Sequence, residues 1–142
     1  MKKIEFWRNK ENKVINPDLF SEVANEWARE IKEEGKKDKN KISQIRKFYD
    51  EVLNLSERIK YERRDFQFYL PYVRMLKAKA YYALGRKHIT EKFVRFIEAC
   101  INEIETKEDF EVYKEFFEAF MGFYRYYDEN IKHIQQKQQL KK

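Results

Sequence analysis

The sequence predicts an all-α protein: a compact bundle of four to five helices with an aromatic core and a long C-terminal helix. Three observations carry this. Turn formers are scarce, with 2 Pro and 3 Gly in 142 residues, so hairpins and Gly-rich phosphate loops are not expected. Glu, Lys, Ala, Leu and Arg are plentiful, and these residues lose little freedom in a helix. Apolar residues recur at three- and four-residue intervals along most of the chain, as a buried helix face requires. Aromatics make up 17% of the residues beside 39% charged ones. That is too much ring surface for a disordered chain. The length fits a single domain over 1–142.

Residues 1–15 place Ile4, Phe6, Trp7, Val14 and Ile15 among charges. They read as an arm that packs loosely or docks on a neighbour. Asn16-Pro17 starts a helix, because proline at the first helical position gives up a donor that has no partner there. Phe20, Val23, Ala24, Trp27 and Ile31 follow on one face, and Gly35 closes the helix in a left-handed conformation. The polar segment 36–41 reads as a short basic loop. Asn40 or Ser43 caps the next helix, over 42–61. Its face carries Ile42, Ile45, Phe48, Tyr49, Val52, Leu53, Leu55 and Ile59, with Arg46 at the border.

Pro71 interrupts any helix entering from residue 66, so the third helix is expected from about 71 to 84, with Gly85 as its cap. Val73, Leu76, Ala80, Ala83 and Leu84 form its apolar face. Lys77 projects from that face and Lys79 lies at its edge. A lysine so placed snorkels, pairs with a carboxylate or meets a phosphate, because burying it alone is costly. Thr90 caps a fourth helix to Ile104. Thr106 and Asp109 resemble a capping box for a last helix from Lys107 to about Gln136. Phe110, Tyr113, Phe116, Phe117, Phe120, Met121, Tyr124, Tyr127, Ile131 and Ile134 form its main stripe, and Val112, Phe123 and Tyr126 lie on a second face. We expect Phe123 and Tyr126 to meet another copy or a neighbouring subunit. The tail, 135–142, is polar and expected to fray.

Charge is distributed unevenly. The net value is +6, yet residues 41–95 carry fourteen basic and six acidic side chains, and 96–131 carry three basic and ten acidic. Such halves either are solvated faces or serve different partners. The N-terminus has no apolar core of a signal peptide, no run approaches the ~20 apolar residues of a spanning helix, and the expected setting is cytoplasmic. Cys100 is alone and sits among isoleucines, so it reads as a small core residue.

Candidate chemistry is sparse. His88 and His133 are the two histidines, and neither belongs to a helical metal pair; no metal or cofactor is expected. The sharpest enzymatic alternative is a helical ribonuclease of the HEPN type, but the seven residues between Arg125 and His133 exceed that family's spacing. Nucleic-acid binding has a clearer footprint. Lys41, Arg46, Lys47, Lys77, Lys79, Arg86 and Lys87 cluster around two successive helices, with Tyr49 and Tyr81 interleaved as possible stacking rings. Phosphate contacts need only positive donors in a groove and carry no sequence information.

The run Ser43-Gln44-Ile45-Arg46-Lys47-Phe48-Tyr49-Asp50-Glu51-Val52 resembles a signature of the small all-helical subunit of the type III-A CRISPR effector, the Csm complex. Leu76-Lys77-Ala78-Lys79-Ala80-Tyr81-Tyr82-Ala83-Leu84-Gly85-Arg86 is similar to a second block, and the aromatic segment 110–127 fits a third. The resemblance covers roughly 41–127. It departs from the pattern at Ile42, where a small hydroxyl residue is expected. It implies a non-catalytic subunit lining the channel where guide RNA pairs with single-stranded target RNA. Its neighbours would be the backbone nuclease subunit, the large polymerase-nuclease subunit and copies of itself. Arg46, Lys47, Lys77, Lys79 and Arg86 would then contact RNA; Lys41 and Lys87 are added on charge alone. The alternative is a helical protein–protein adaptor with no RNA role.

Overall fold

The computed structural model describes the backbone of residues 1–140 and the side chains of 1–130. Five α-helices dominate it: α1 (Ala24–Gly35), α2 (Ile42–Glu62), α3 (Phe66–Gly85), α4 (Glu91–Asn102) and α5 (Lys107–Leu140). A two-stranded antiparallel ribbon, β1 (Trp7–Asn9) and β2 (Val14–Ile15), precedes them. The all-α expectation holds, including the aromatic core and the long last helix.

The core is organised by rings on α4 and α5. Phe96 stacks on Phe120 at 4.4 Å and meets Phe117 edge-on at 5.5 Å. Trp27 of α1 reaches Phe96 at 5.9 Å, and Phe48 of α2 meets Phe93 at 5.0 Å. Offset and edge-on rings match positive edges to negative faces, which adds to the burial of their area. Cys100 is buried within this core, and burial pushes its thiol well above the ordinary range.

Residues 1–15 do not pack loosely. Ile4 and Phe6 are buried, and Phe6 lies between Tyr113 and Phe116. Trp7 Nε1 donates to Asp109 Oδ1 at 2.8 Å, tying the ribbon to the start of α5. Asn16 acts near the position expected: its Oδ1 accepts from Asp18 N. A π-helical turn, Leu19–Val23, then intervenes before α1.

Several of the expected helix ends are made differently. Lys41, with no side-chain cap, precedes α2 in place of Asn40 or Ser43, and Gly85 is the last residue of α3, with Arg86 following at φ −85°. Gly35 is the last residue of α1, but Lys36 takes the positive φ of 52°. Gly35 is needed for space, since a Cβ there would lie 2.7 Å from Asn40 Cβ. Pro71 lies inside α3 rather than at its start. Asp65 caps that helix by accepting from Gln67 N at 2.8 Å. Burial of Tyr69 and Leu70 in the turn before Pro71 offsets the one backbone bond that proline forfeits. The Thr106–Asp109 box is present: Thr106 N donates to Asp109 Oδ2 at 3.0 Å and Asp109 N to Thr106 Oγ1 at 3.2 Å. The side chains of Ile131, His133 and Ile134, and those of the tail 135–142, lie outside the described residues.

Candidate nucleic-acid interface

Helices α2 and α3 are joined by three residues, Arg63-Arg64-Asp65, with Arg63 left-handed at φ 54°. So short a link makes them antiparallel neighbours. Their facing side chains pair in order. Glu62 accepts from the Tyr69 hydroxyl at 2.8 Å, Arg58 lies over the Tyr72 ring at 5.3 Å, and Lys79 meets Glu51 at 3.0 Å. The Tyr69 hydrogen bond and the nearby Arg58 hold the Glu62 carboxyl below its ordinary value, against burial.

Beyond Glu51 the helices enclose an open groove of about 410 Å³, lined by Lys47, Lys79, Tyr82, Arg86 and His88. Arg86 donates to the Tyr82 hydroxyl at 3.2 Å and lies over its ring. Lys47 has no ion pair among the described residues, and Arg86 has no carboxylate partner there. Concave positive charge of this kind concentrates anions.

Of the seven basic residues expected to contact RNA, three come together in this groove: Lys47, Lys79 and Arg86. Lys41 sits exposed at the start of α2. Lys87 sits exposed in the turn after α3, at φ 64°. Arg46 points along the outer face of α2, 3.9 Å from Asp50. Lys77 faces the other side of α3, where its Nζ donates to Asn102 Oδ1 at 2.5 Å. Residues 77 and 79 are ~200° apart on a helix, so one groove does not collect both. Tyr49 packs on Phe117 at 5.4 Å and serves the core. Tyr81 turns toward α4, where Glu98 accepts from its hydroxyl.

Tyr82, Gln44 and Glu51 line the groove and were not singled out from the sequence, and His88, also lining it, was weighed there only as a metal ligand. The signal for one was present, because Lys79, Tyr82 and Arg86 recur at three and four residues.

A second concavity, about 490 Å³, lies between α1, α5 and the π-helical turn. Phe20, Ala119, Gly122, Phe123, Tyr126 and Tyr127 line it. Phe123 is half-buried and Tyr126 is 61% exposed. Arg125 is engaged by Glu129 at 3.4 Å. Among the described residues no group of three or more His, Cys, Asp or Glu converges, and no helix is long and apolar enough to cross a membrane.

The class is thus a small helical bundle with an aromatic core, a basic seam between its second and third helices and an apolar groove beside its last. Residues 15–130 match the family model described as Csm2 Type III-A, and the chain belongs to that family, the small subunit of the type III-A CRISPR effector complex. Membership implies association with other subunits of the Csm complex. No curated protein and no solved structure matches the chain.

Proposed function

We propose that this subunit holds the backbone of guide or target RNA in the α2–α3 groove, without sequence preference and without catalysis of its own. The observation that carries this is the convergence of Lys47, Lys79 and Arg86 on one open concavity. Three cations at one groove, with a carboxylate engaging only Lys79, suit a polyanion whose charge does not vary with sequence. Lys41, Arg46 and Lys87 are exposed outside the groove lining and would extend the positive surface. Lys77 is the weakest of the seven, since it faces away from the groove, toward Asn102.

Protein contacts have two candidate surfaces. The apolar groove at Phe123 and Tyr126 supports packing against another copy, the backbone nuclease subunit or the large polymerase-nuclease subunit. The exposed carboxylates Glu108, Glu111, Glu115 and Glu118 of α5 are charge partners for the basic seam of a neighbouring copy. The adaptor reading keeps the apolar groove and gives up the RNA.

Fluorescence anisotropy with a generic single-stranded RNA across a salt series separates them. Log-linear loss of affinity with salt, with the slope reduced by ~0.7 for each phosphate contact removed, is expected. Lys47→Ala and Arg86→Ala are the variants. Absence of binding at low salt would leave the adaptor.

A further inference from the structure

The exposed face of α3 has a pattern that phosphate binding does not use. Phe68, Tyr72, Met75, Lys79, Tyr82 and Arg86 recur at alternating four- and three-residue steps, which places them in one stripe. The stripe runs ~27 Å along the helix axis at 1.5 Å per residue. Its Lys79–Arg86 half is the groove already described. Its other half is a row of side chains that water should not favour: Phe68 is 39% exposed, Tyr72 41% and Met75 47%.

Two arginines lie on these rings. Arg64 Cζ is 4.4 Å from the Phe68 centroid, and Arg58 Cζ is 5.3 Å from that of Tyr72. The guanidinium plane and the ring each offer a flat face for stacking.

We infer that the groove continues into a base-stacking platform, in which Phe68 with Arg64 and Tyr72 with Arg58 stack nucleobases of single-stranded RNA. The inference rests on the RNA reading of the groove and adds a second, non-phosphate mode to it.

Charge and continuity select this occupant. Residues 58–86 carry eight basic and two acidic side chains. Both acids are engaged, Glu62 by Tyr69 and Arg58, and Asp65 by Gln67 N. An apolar partner helix would have to desolvate this positive rim without compensation. A single strand of RNA carries both flat rings and negative charge. In a duplex the ring faces are already stacked on one another, so the platform favours unpaired nucleotides. At ~3.4 Å per stacked nucleotide the stripe spans roughly eight.

The test uses the full chain and three fluorescein-labelled dodecamers: a mixed-sequence single-stranded RNA, the same strand with abasic sites at its four central positions, and its duplex. Phe68→Leu/Tyr72→Leu keeps apolar bulk and removes both rings. It should weaken binding of the intact strand by roughly tenfold or more and leave the salt slope unchanged. Wild type should prefer the intact strand to the abasic strand and to the duplex, and the variant should lose the preference for bases. Circular dichroism should show the same helicity in both proteins, since the rings are partly outside the core. Equal affinities for intact and abasic strands, with Lys47→Ala/Arg86→Ala still reducing the slope, would overturn the platform and leave the groove standing. No binding of any strand at low salt would overturn both.

Discussion

Asn40 and Thr90 exchange two hydrogen bonds across fifty residues: Asn40 Nδ2 donates to Thr90 Oγ1 at 2.7 Å, and Thr90 N donates to Asn40 Oδ1 at 2.9 Å. Asn40 also donates to Ile31 O at 2.8 Å, its backbone N donates to His88 O at 3.0 Å, and its carbonyl accepts from the Tyr124 hydroxyl. One fully buried residue thus connects the end of α1, the start of α2, the turn after α3 and the middle of α5. It fixes where Lys47 stands relative to Arg86 and His88. Asn40→Ala should cost about 2–4 kcal/mol. It would leave the Thr90 N–H buried without a partner and place alanine at a φ of 54° that asparagine tolerates better. Urea denaturation measures the cost; a change below ~0.5 kcal/mol, the range of ordinary surface substitutions, would mean that the latch contributes little.

Little of this latch was legible in the sequence. Asn40 reads as a helix cap because short polar residues before an apolar run commonly are one. Its side chain turns inward because Gly35 leaves space and Thr90 approaches from fifty residues away, and no local pattern reports either. The helices were legible for the opposite reason, since periodicity is local; α2 begins and ends within a residue of expectation. Pro71 misled because its cost is local while the burial of Tyr69 and Leu70 is tertiary. The ribbon misled for the same reason: Phe6 has no periodic partners, and its burial depends on α5. Among the basic residues, types were readable but directions were not, which is why Lys77 and Lys79 separate.

That separation gives an ordered prediction for RNA binding. Lys79 is engaged by Glu51 at 3.0 Å, so its charge is partly cancelled before RNA arrives. Glu51→Gln should release it, tightening binding at low salt and steepening the salt slope by up to ~0.7. Lys77→Ala should leave the slope unchanged. Anisotropy titrations between 25 and 200 mM salt (roughly the range where counterion release dominates) would show both. A weaker-binding Glu51→Gln protein would place the phosphate path outside this groove.

Acid should loosen the ribbon before it melts the bundle. Burial raises the Asp109 carboxyl, but hydrogen bonds from Glu105 N, Trp7 Nε1, Thr106 N and the Thr106 side chain outweigh it and hold the group below its usual 3.8. A carboxyl with a depressed value in the fold stabilises above its unfolded value and loses that contribution as pH falls through the folded one. The Trp7–Asp109 bond therefore persists at neutral pH and weakens progressively below about pH 3.8. Asp109→Ala should cost about 2–4 kcal/mol at pH 7, from the lost cap and the orphaned Trp7 Nε1. The difference from wild type should shrink on acidification. A gap that stayed constant down to pH 2 would show that the carboxylate charge contributes nothing; tryptophan fluorescence and urea melts report the two effects.

Assembly has two candidate surfaces, and salt distinguishes them. Tyr126 is exposed beside the apolar groove and lies 5.3 Å from Tyr127, whose hydroxyl donates to Asn25 Oδ1 of α1. Its neighbours are therefore held in place, so Tyr126→Ser changes the groove's surface with little effect on the core. Phe123→Ser is a poorer probe, because Phe123 packs against the core and its loss should also reduce stability by about 1–2 kcal/mol. Apolar association buries area and changes little with ionic strength, whereas the carboxylates of α5 docking on another copy's basic seam would be screened within ~10 Å at 0.1 M salt. Sedimentation velocity at 50 and 500 mM salt should thus show self-association that Tyr126→Ser removes and salt spares, if the groove is the contact. Association lost at high salt but intact in Tyr126→Ser would transfer the contact to the charged faces. In that case RNA and the neighbouring copy would compete for Lys47 and Arg86, and adding single-stranded RNA should dissociate the oligomer.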